Sequence, residues 1–325
     1  MTVFLKTLLL LSAAGSVLGL MLMLGRRVMG KRLPSTLWYY AWLPVLLRLA
    51  LPLPGLIPGV QTGEQSPAGP VSAQVEAADE NSVRGEGVPF SNAIAGTEAA
   101  AEPTPAGQHI QRDALLKNPG LWLGVWLLGA ALCFARYTIG YARFRRALMG
   151  TLQPMDGQTT QVYKDLDGRR KPRLFCSACV ATPMLLGLFR PLIVLPRAAY
   201  SEVSAGNILR HELTHYRRGD LCVKWFFVLT ASLHWFNPLM PLFRRELDRV
   251  CELSCDEALL ATMTREEKRA YGNTLLQMAA SGALPAGVVA TTFATEKKNL
   301  KERLEQIMTY HKKSRARVLA AVLDR

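Results

Sequence analysis

Apolar residues along this chain fall in blocks. The first runs from Val3 to Leu24 with Lys6 as its one charged residue. A bilayer core is spanned by about 20 such residues in a helix, so this block reads as a transmembrane helix. Its length, and the basic residues that follow it in place of a small-residue cleavage site, argue against a cleaved leader. The second block, Thr36 to Ile57, is interrupted by Arg48, and Pro44, Pro52 and Pro54 are placed to kink it. Together the two predict a helical hairpin over 1–57. A third block, Leu121 to Tyr141, carries Trp122 and Trp126 near one end and Arg136 near the other, and predicts a third span over 121–142. A fourth runs from Leu221 to Leu242.

Between the second and third blocks the pattern disappears. Residues 58–120 are rich in Gly, Ala, Pro, Ser and Glu, with no hydrophobic period. They read as a disordered loop. Basic residues cluster elsewhere: Arg26, Arg27, Lys31 and Arg32 between the first two blocks, and Arg143, Arg145 and Arg146 after the third. The positive-inside rule puts both clusters in the cytoplasm. The N-terminus and the loop over 58–120 are then outside, and a domain over 143–310 is cytoplasmic. Lys297, Lys298, Lys301, Arg303, Lys312, Lys313, Arg315 and Arg317 read as juxtamembrane cations, ending in a basic tail over 311–325.

Composition supports this layout. Half of the chain is apolar, yet 20% is charged, and the net charge is +14. So basic a balance implies an anionic membrane surface or nucleic acid. No basic patch interleaved with aromatics and no zinc-finger spacing is present, so direct nucleic-acid binding is set aside. None of the six cysteines lies in the outer loop, which suits reduced thiols. Cys176 and Cys179 form a lone C-x-x-C and read as small buried residues.

The chemistry centres on His211-Glu212-Leu213-Thr214-His215. A helix turns about 100° per residue, so positions i and i+4 lie on nearly the same face. Both imidazoles can reach one metal ion, with Glu212 beside them to hold a water. This is the HExxH arrangement of zinc peptidases. A catalytic zinc commonly takes three protein ligands and keeps a fourth position for water. The best third ligand is Glu252, which shares a helical face with Asp256 at i+4. Asp256 would then accept a hydrogen bond from a zinc histidine and fix its tautomer. His109, His234 and His311 are weaker rivals. Glu212 would act as general base and later protonate the leaving amine. Tyr216 and Tyr271 are the candidates for a second oxyanion donor, with neither singled out.

The fourth apolar block lies between His211 and Glu252. A single crossing there would put the two on opposite faces of the membrane. Asn237-Pro238 and Pro241 break the run. A buried or re-entrant helix over 221–242 is therefore expected, descending to about Trp235 and returning from about Leu239.

At this point the chain resembles the BlaR/MecR-type regulatory membrane metallopeptidases. The resemblance rests on Gly187 through Pro196, His211 through Asp220, His234-Trp235-Phe236-Asn237-Pro238, and Glu252 through Asp256, in that order. It implies a mainly α membrane protein with N-terminal transmembrane helices and an α+β gluzincin-type zinc peptidase domain. It also implies that Zn2+ is held by His211, His215 and Glu252, with Glu212 catalytic and Asp256 behind the ligands. Leu192 to Leu195 would form a strand near the cleft, whose edge a substrate could join. Implied partners are the lipid bilayer and a cytoplasmic protein substrate such as a transcriptional repressor, with a homo-oligomer left open. Members sense an extracellular signal, often a β-lactam, and trigger proteolysis that lifts repression. Many also carry a penicillin-binding sensor. This sequence has no Ser-x-x-Lys motif, so the expectation is either a truncated chain or a signal that enters through the outer loop or a partner. The alternatives are a housekeeping membrane gluzincin of the prenyl-protease or heat-shock type, and an inactive signalling scaffold.

Overall fold

The computed structural model describes residues 3–30, 32–51, 119–168, 170–281 and 290–310. The loop expected over 58–120 lies outside them up to residue 118, and so does the tail over 311–325. The described residues belong to one compact unit, Met1–Pro52 with Pro119–Arg325.

That unit is mostly helical. Two described helices are long and apolar enough to cross a membrane: α1 (Val3–Met29), over Lys6–Met29, and α3 (Pro119–Met149), over Gly120–Met149. Leu123, Leu127, Leu128 and Leu132 of α3 are exposed, an apolar surface that suits lipid better than water. The second apolar block behaves differently. It forms α2 (Ser35–Ala50), whose 16 residues rise about 24 Å, short of a bilayer core of about 30 Å. Trp38, Tyr39, Trp42, Val45, Leu46 and Leu49 form one buried helical face, packed with Phe227, Phe243 and Leu247. Residues 52–57 of that block are outside the described set. α1 and α2 run antiparallel. A Cβ on Gly15 would clash with the Leu49 side chain, and one on Gly25 would meet Trp38 at 3.3 Å.

After α3, the short helix α4 (Gly157–Asp165) starts where Asp156 accepts a hydrogen bond from Thr159 N. Three short strands follow: β1 (Arg173–Ser177), β2 (Met184–Leu186) and β3 (Leu192–Pro196), in the spatial order β1-β3-β2. β3 is the central strand, parallel to β1 and antiparallel to β2. Both of its edges are therefore hydrogen-bonded, which corrects the expectation that a substrate could join Leu192–Leu195. Alternation explains the burial of β3 on both faces. Ile193 and Leu195 meet Ile208, Leu209 and Leu213, while Leu192 and Val194 meet Leu148, Val180 and Leu186.

Helix α5 (Glu202–Arg218) is capped at its start by the Ser201 side chain, which accepts from Ser204 N. It ends at Gly219, whose φ of +70° is left-handed, as a helix-ending glycine commonly is. The chain turns straight into α6 (Asp220–Leu233) and reverses over His234–Leu239. It then returns as α7 (Met240–Leu260). His234 and Asn237 of the reversal are buried and bond to other helices, while Trp235 and Pro238 are exposed. Asn237 Nδ2 donates to Ser12 Oγ at 2.9 Å and Ser16 Oγ at 2.8 Å. His234 Nε2 lies 2.9 Å from the Leu49 carbonyl, and Trp126 Nε1 donates to the Leu233 carbonyl at 2.9 Å. Trp126 thus ties α3 to the helix turn. Helices α8 (Arg265–Ser281) and α9 (Ala290–Thr309) close the unit, with Tyr271, Leu275 and Ile307 packed on Leu259 and Leu260.

Candidate metal centre

α5 and α7 lie side by side and bring four sequence-selected residues into one cavity of about 370 Å³: His211, Glu212, His215 and Glu252. His211 Nε2 and His215 Nε2 are 3.1 Å apart. Glu252 Oε2 is 3.3 Å from the first, and Oε1 is 3.5 Å from the second. A tetrahedral ion with ligands at about 2.0–2.1 Å separates them by about 3.3 Å. The three groups therefore form one face of a tetrahedron of the right size, open towards the cavity.

The outer ring nitrogens are held separately. His215 Nδ1 lies 2.7 Å from Asp220 Oδ2. The left-handed turn at Gly219 makes this possible by sending the next residue back along the helix it has just ended. His211 Nδ1 lies 2.9 Å from the Tyr271 hydroxyl, which donates to Asp256 Oδ1 at 2.6 Å. Asp256 itself is 3.4 Å from that nitrogen, so its hold on His211 runs chiefly through Tyr271. Tyr271 is thus engaged behind the imidazole while also lining the cavity, and Tyr216 does not line it.

Arg303, on α9, completes the cluster. Its Nε donates to Asp256 Oδ2 at 2.7 Å and its Nη2 to Oδ1 at 2.8 Å, while Nη1 lies 3.3 Å from Glu252 Oε2. The sequence had placed it among juxtamembrane cations. Its side chain is 17% exposed because two carboxylates claim it. Asp220 and Arg303 were not singled out for site roles in the sequence. Asp220 had a signal, an acid following the glycine that ends the motif helix. Arg303, 47 residues from Asp256, had none.

The electrostatics favour a cation. Burial disfavours a charged imidazole, yet the neighbouring Cys255, Tyr271 and Asp256 raise His211 well above its usual pKa. For His215, Asp220 and the nearby thiols outweigh burial in the same way. Burial pushes Glu252 up, but the two imidazoles and Arg303 hold it well below the usual carboxylate range. Burial raises Glu212, with the imidazoles opposing. Cys251 and Cys255 are also close, and His211 with His215 and Cys255, or His215 with Asp220 and Cys251, could by proximity hold a metal. The thiols, however, lie 3.7–3.9 Å from the Nδ1 atoms, on the edges already bonded to Tyr271 and Asp220. Neither thiol lines the cavity. The Nε2 side, with Glu252, is the one that keeps an accessible position.

Two imidazoles and a carboxylate around one point, with a glutamate beside them on an HExxH helix, are the features of a class, the metal-dependent peptidases. A family model described as BlaR1 peptidase M56 matches residues 6–307. This chain belongs to that family. It is similar to the regulatory protein BlaR1 of Bacillus licheniformis, 24% identical over 67% of this chain and 39% of that protein. It is also similar to the methicillin resistance mecR1 proteins of Staphylococcus aureus and Staphylococcus epidermidis, each 29% identical over 41% of this chain and 24% of the relative. The chain therefore spans about a quarter to two-fifths of the length of these relatives.

Proposed function

We propose that this chain is a membrane-held, zinc-dependent endopeptidase of gluzincin type, with His211, His215 and Glu252 as ligands and Glu212 as base. The observation that carries the reading is the 3.1–3.5 Å triangle of Nε2, Nε2 and carboxylate beside Glu212. Zinc, when bound, would polarise the scissile carbonyl and acidify the attacking water. The chain's own residues do the rest. Glu212, buried and raised towards the range of a useful base, accepts a proton from the water and passes one to the leaving amine. Asp220 and Tyr271 fix the two ring orientations, so that both Nε2 lone pairs face the cavity.

Substrate would enter along β2. Thr182, Pro183, Met184 and Leu185 line the cavity, and among the described residues β2 pairs with β3 on one edge only. An extended peptide could add there by main-chain hydrogen bonds and pass in front of Glu212.

The membrane reading rests on the apolar lengths of α1 and α3 and on the basic residues at their ends. It makes a multi-pass protein with 1–57 as a helical pair, 58–120 outside, 121–142 as a span and 143–310 cytoplasmic. The printed names of the relatives are a regulatory protein and resistance proteins. They favour a regulatory role for this chain: cleavage of a cytoplasmic repressor, or of itself, after an extracellular cell-wall or antibiotic signal. The test is co-expression with a candidate repressor, with and without a cell-wall inhibitor. Signal-dependent loss of intact repressor, abolished by Glu212→Ala, supports the regulator. Signal-independent degradation of unfolded membrane proteins would point to a housekeeping protease. Function that survives Glu212→Ala would point to a scaffold.

A further inference from the structure

Asp220, which holds His215, has a second partner from a distant part of the chain. The Tyr39 hydroxyl of α2 donates to Asp220 Oδ1 at 2.8 Å, across 181 residues of sequence. Both residues are 1% exposed. Asp220 thus uses one oxygen for the histidine and the other for a phenol carried by the N-terminal apolar segment. The Arg218 guanidinium lies over the Tyr39 ring, 4.8 Å from its centroid, with Nε 3.4 Å from Asp220 Oδ1. A carboxylate fixed at both oxygens cannot rotate away from the imidazole it orients. One with a free oxygen can, and the ring then loses its preferred tautomer and direction.

The far end of α2 is tied as well. The Leu49 carbonyl accepts from His234 Nε2, just past the end of α6, while Tyr39 meets Asp220 at its start. α2 therefore holds α6 at both ends. Displacement of α2 is passed to Asp220 and so to His215.

We infer that Tyr39 is a positioning residue of the peptidase site, acting on His215 through Asp220, and that α2 is thereby part of the metal centre. This rests on the metallopeptidase reading above and deepens it. A helix of the N-terminal apolar segment contributes to ligand geometry, which gives an event at the membrane a direct physical route to the chemistry.

The test uses the full chain in detergent, with Co2+ alone as a probe of coordination, and compares the wild type, Tyr39→Phe, Asp220→Asn and the double variant. Trp42→Phe serves as a packing control, because Trp42 lies on the same buried face of α2. Expected for Tyr39→Phe are about tenfold weaker Co2+ binding, altered visible absorption bands and a fall in kcat with little change in KM. The double variant should be no worse than Asp220→Asn alone, since the phenol acts through that carboxylate. Trp42→Phe should keep the wild-type spectrum. Wild-type affinity and spectrum in a folded Tyr39→Phe would overturn the inference. So would additive effects in the double variant, or the same spectral change in Trp42→Phe. A folded wild type that takes up no metal would overturn this inference and the peptidase reading together. Metal uptake by the wild type with an indifferent Tyr39→Phe would overturn this inference alone.

Discussion

Each histidine of the site has two jobs, one for each ring nitrogen. The Nε2 atoms converge on Glu252, and the Nδ1 atoms are held by Asp220 and by Tyr271 with Asp256. Loss of one outer partner should weaken metal binding by about 10- to 100-fold without removing a ligand. Asp220→Asn is expected to show this in a zinc competition titration. Affinity equal to the wild type would mean that Asp220 does not orient His215. Protons should compete with metal at these rings, because a ligating imidazole must be neutral. Both rings are raised above their usual pKa, so the metal-free site sheds protons on binding. Apparent affinity should therefore tighten as pH rises through the ordinary imidazole range near 6.5 and go on tightening above it, because both rings hold their protons longer, with proton release visible by calorimetry in buffers of different ionisation enthalpy. No proton release would contradict imidazole ligation. His211 and His215 were legible as a pair because i, i+4 spacing is local, and Glu252 was picked out by the same spacing to Asp256 on a second helix. Tyr39 and Arg303 were not, since they reach the site only through tertiary packing.

At the scale of elements, close helix contacts set the frame. A Cβ on Gly19 of α1 would lie 2.6 Å from the Phe243 ring of α7, and that ring is fully buried. Overpacking of this kind costs about 1–3 kcal/mol. Gly19→Val should therefore lower the thermal unfolding midpoint in detergent while folded protein keeps its metal. An unchanged midpoint would contradict the α1–α7 packing. The helices were readable from their apolar blocks, and so was a break at Asn237-Pro238. Less readable was the order of the strands. Leu192–Pro196 carries the longest apolar run of the three, and burial on both faces follows from a central position, with β2 left at the edge beside the cavity. The packing of the second apolar block was hidden as well. Its composition suits lipid, yet one face of α2 is covered by α6 and α7, which only the fold discloses.

Across the whole molecule, α9 ties the end of α1 to the metal centre. Arg26 pairs with Glu246 and with Glu302, the latter at 2.8 Å, and Arg249 lies 2.5 Å from Glu302. The next residue, Arg303, grips Asp256 and Glu252. Removing the charge at Arg26 leaves half-buried carboxylates short of a partner, at a cost of about 1–3 kcal/mol. Arg26→Ala should lower the unfolding midpoint, with the loss smaller at high salt. No change would show that the network contributes nothing to holding α9 in place. These links were invisible in the sequence, where the same arginines counted only towards orientation and net charge. The central claim is a catalytic metal site, and it is tested most directly by purifying the wild type and Glu212→Ala and measuring zinc per chain together with cleavage of itself and of cell-extract proteins. About one zinc in both, with cleavage only in the wild type, is the expected result. A folded wild type without zinc would contradict it.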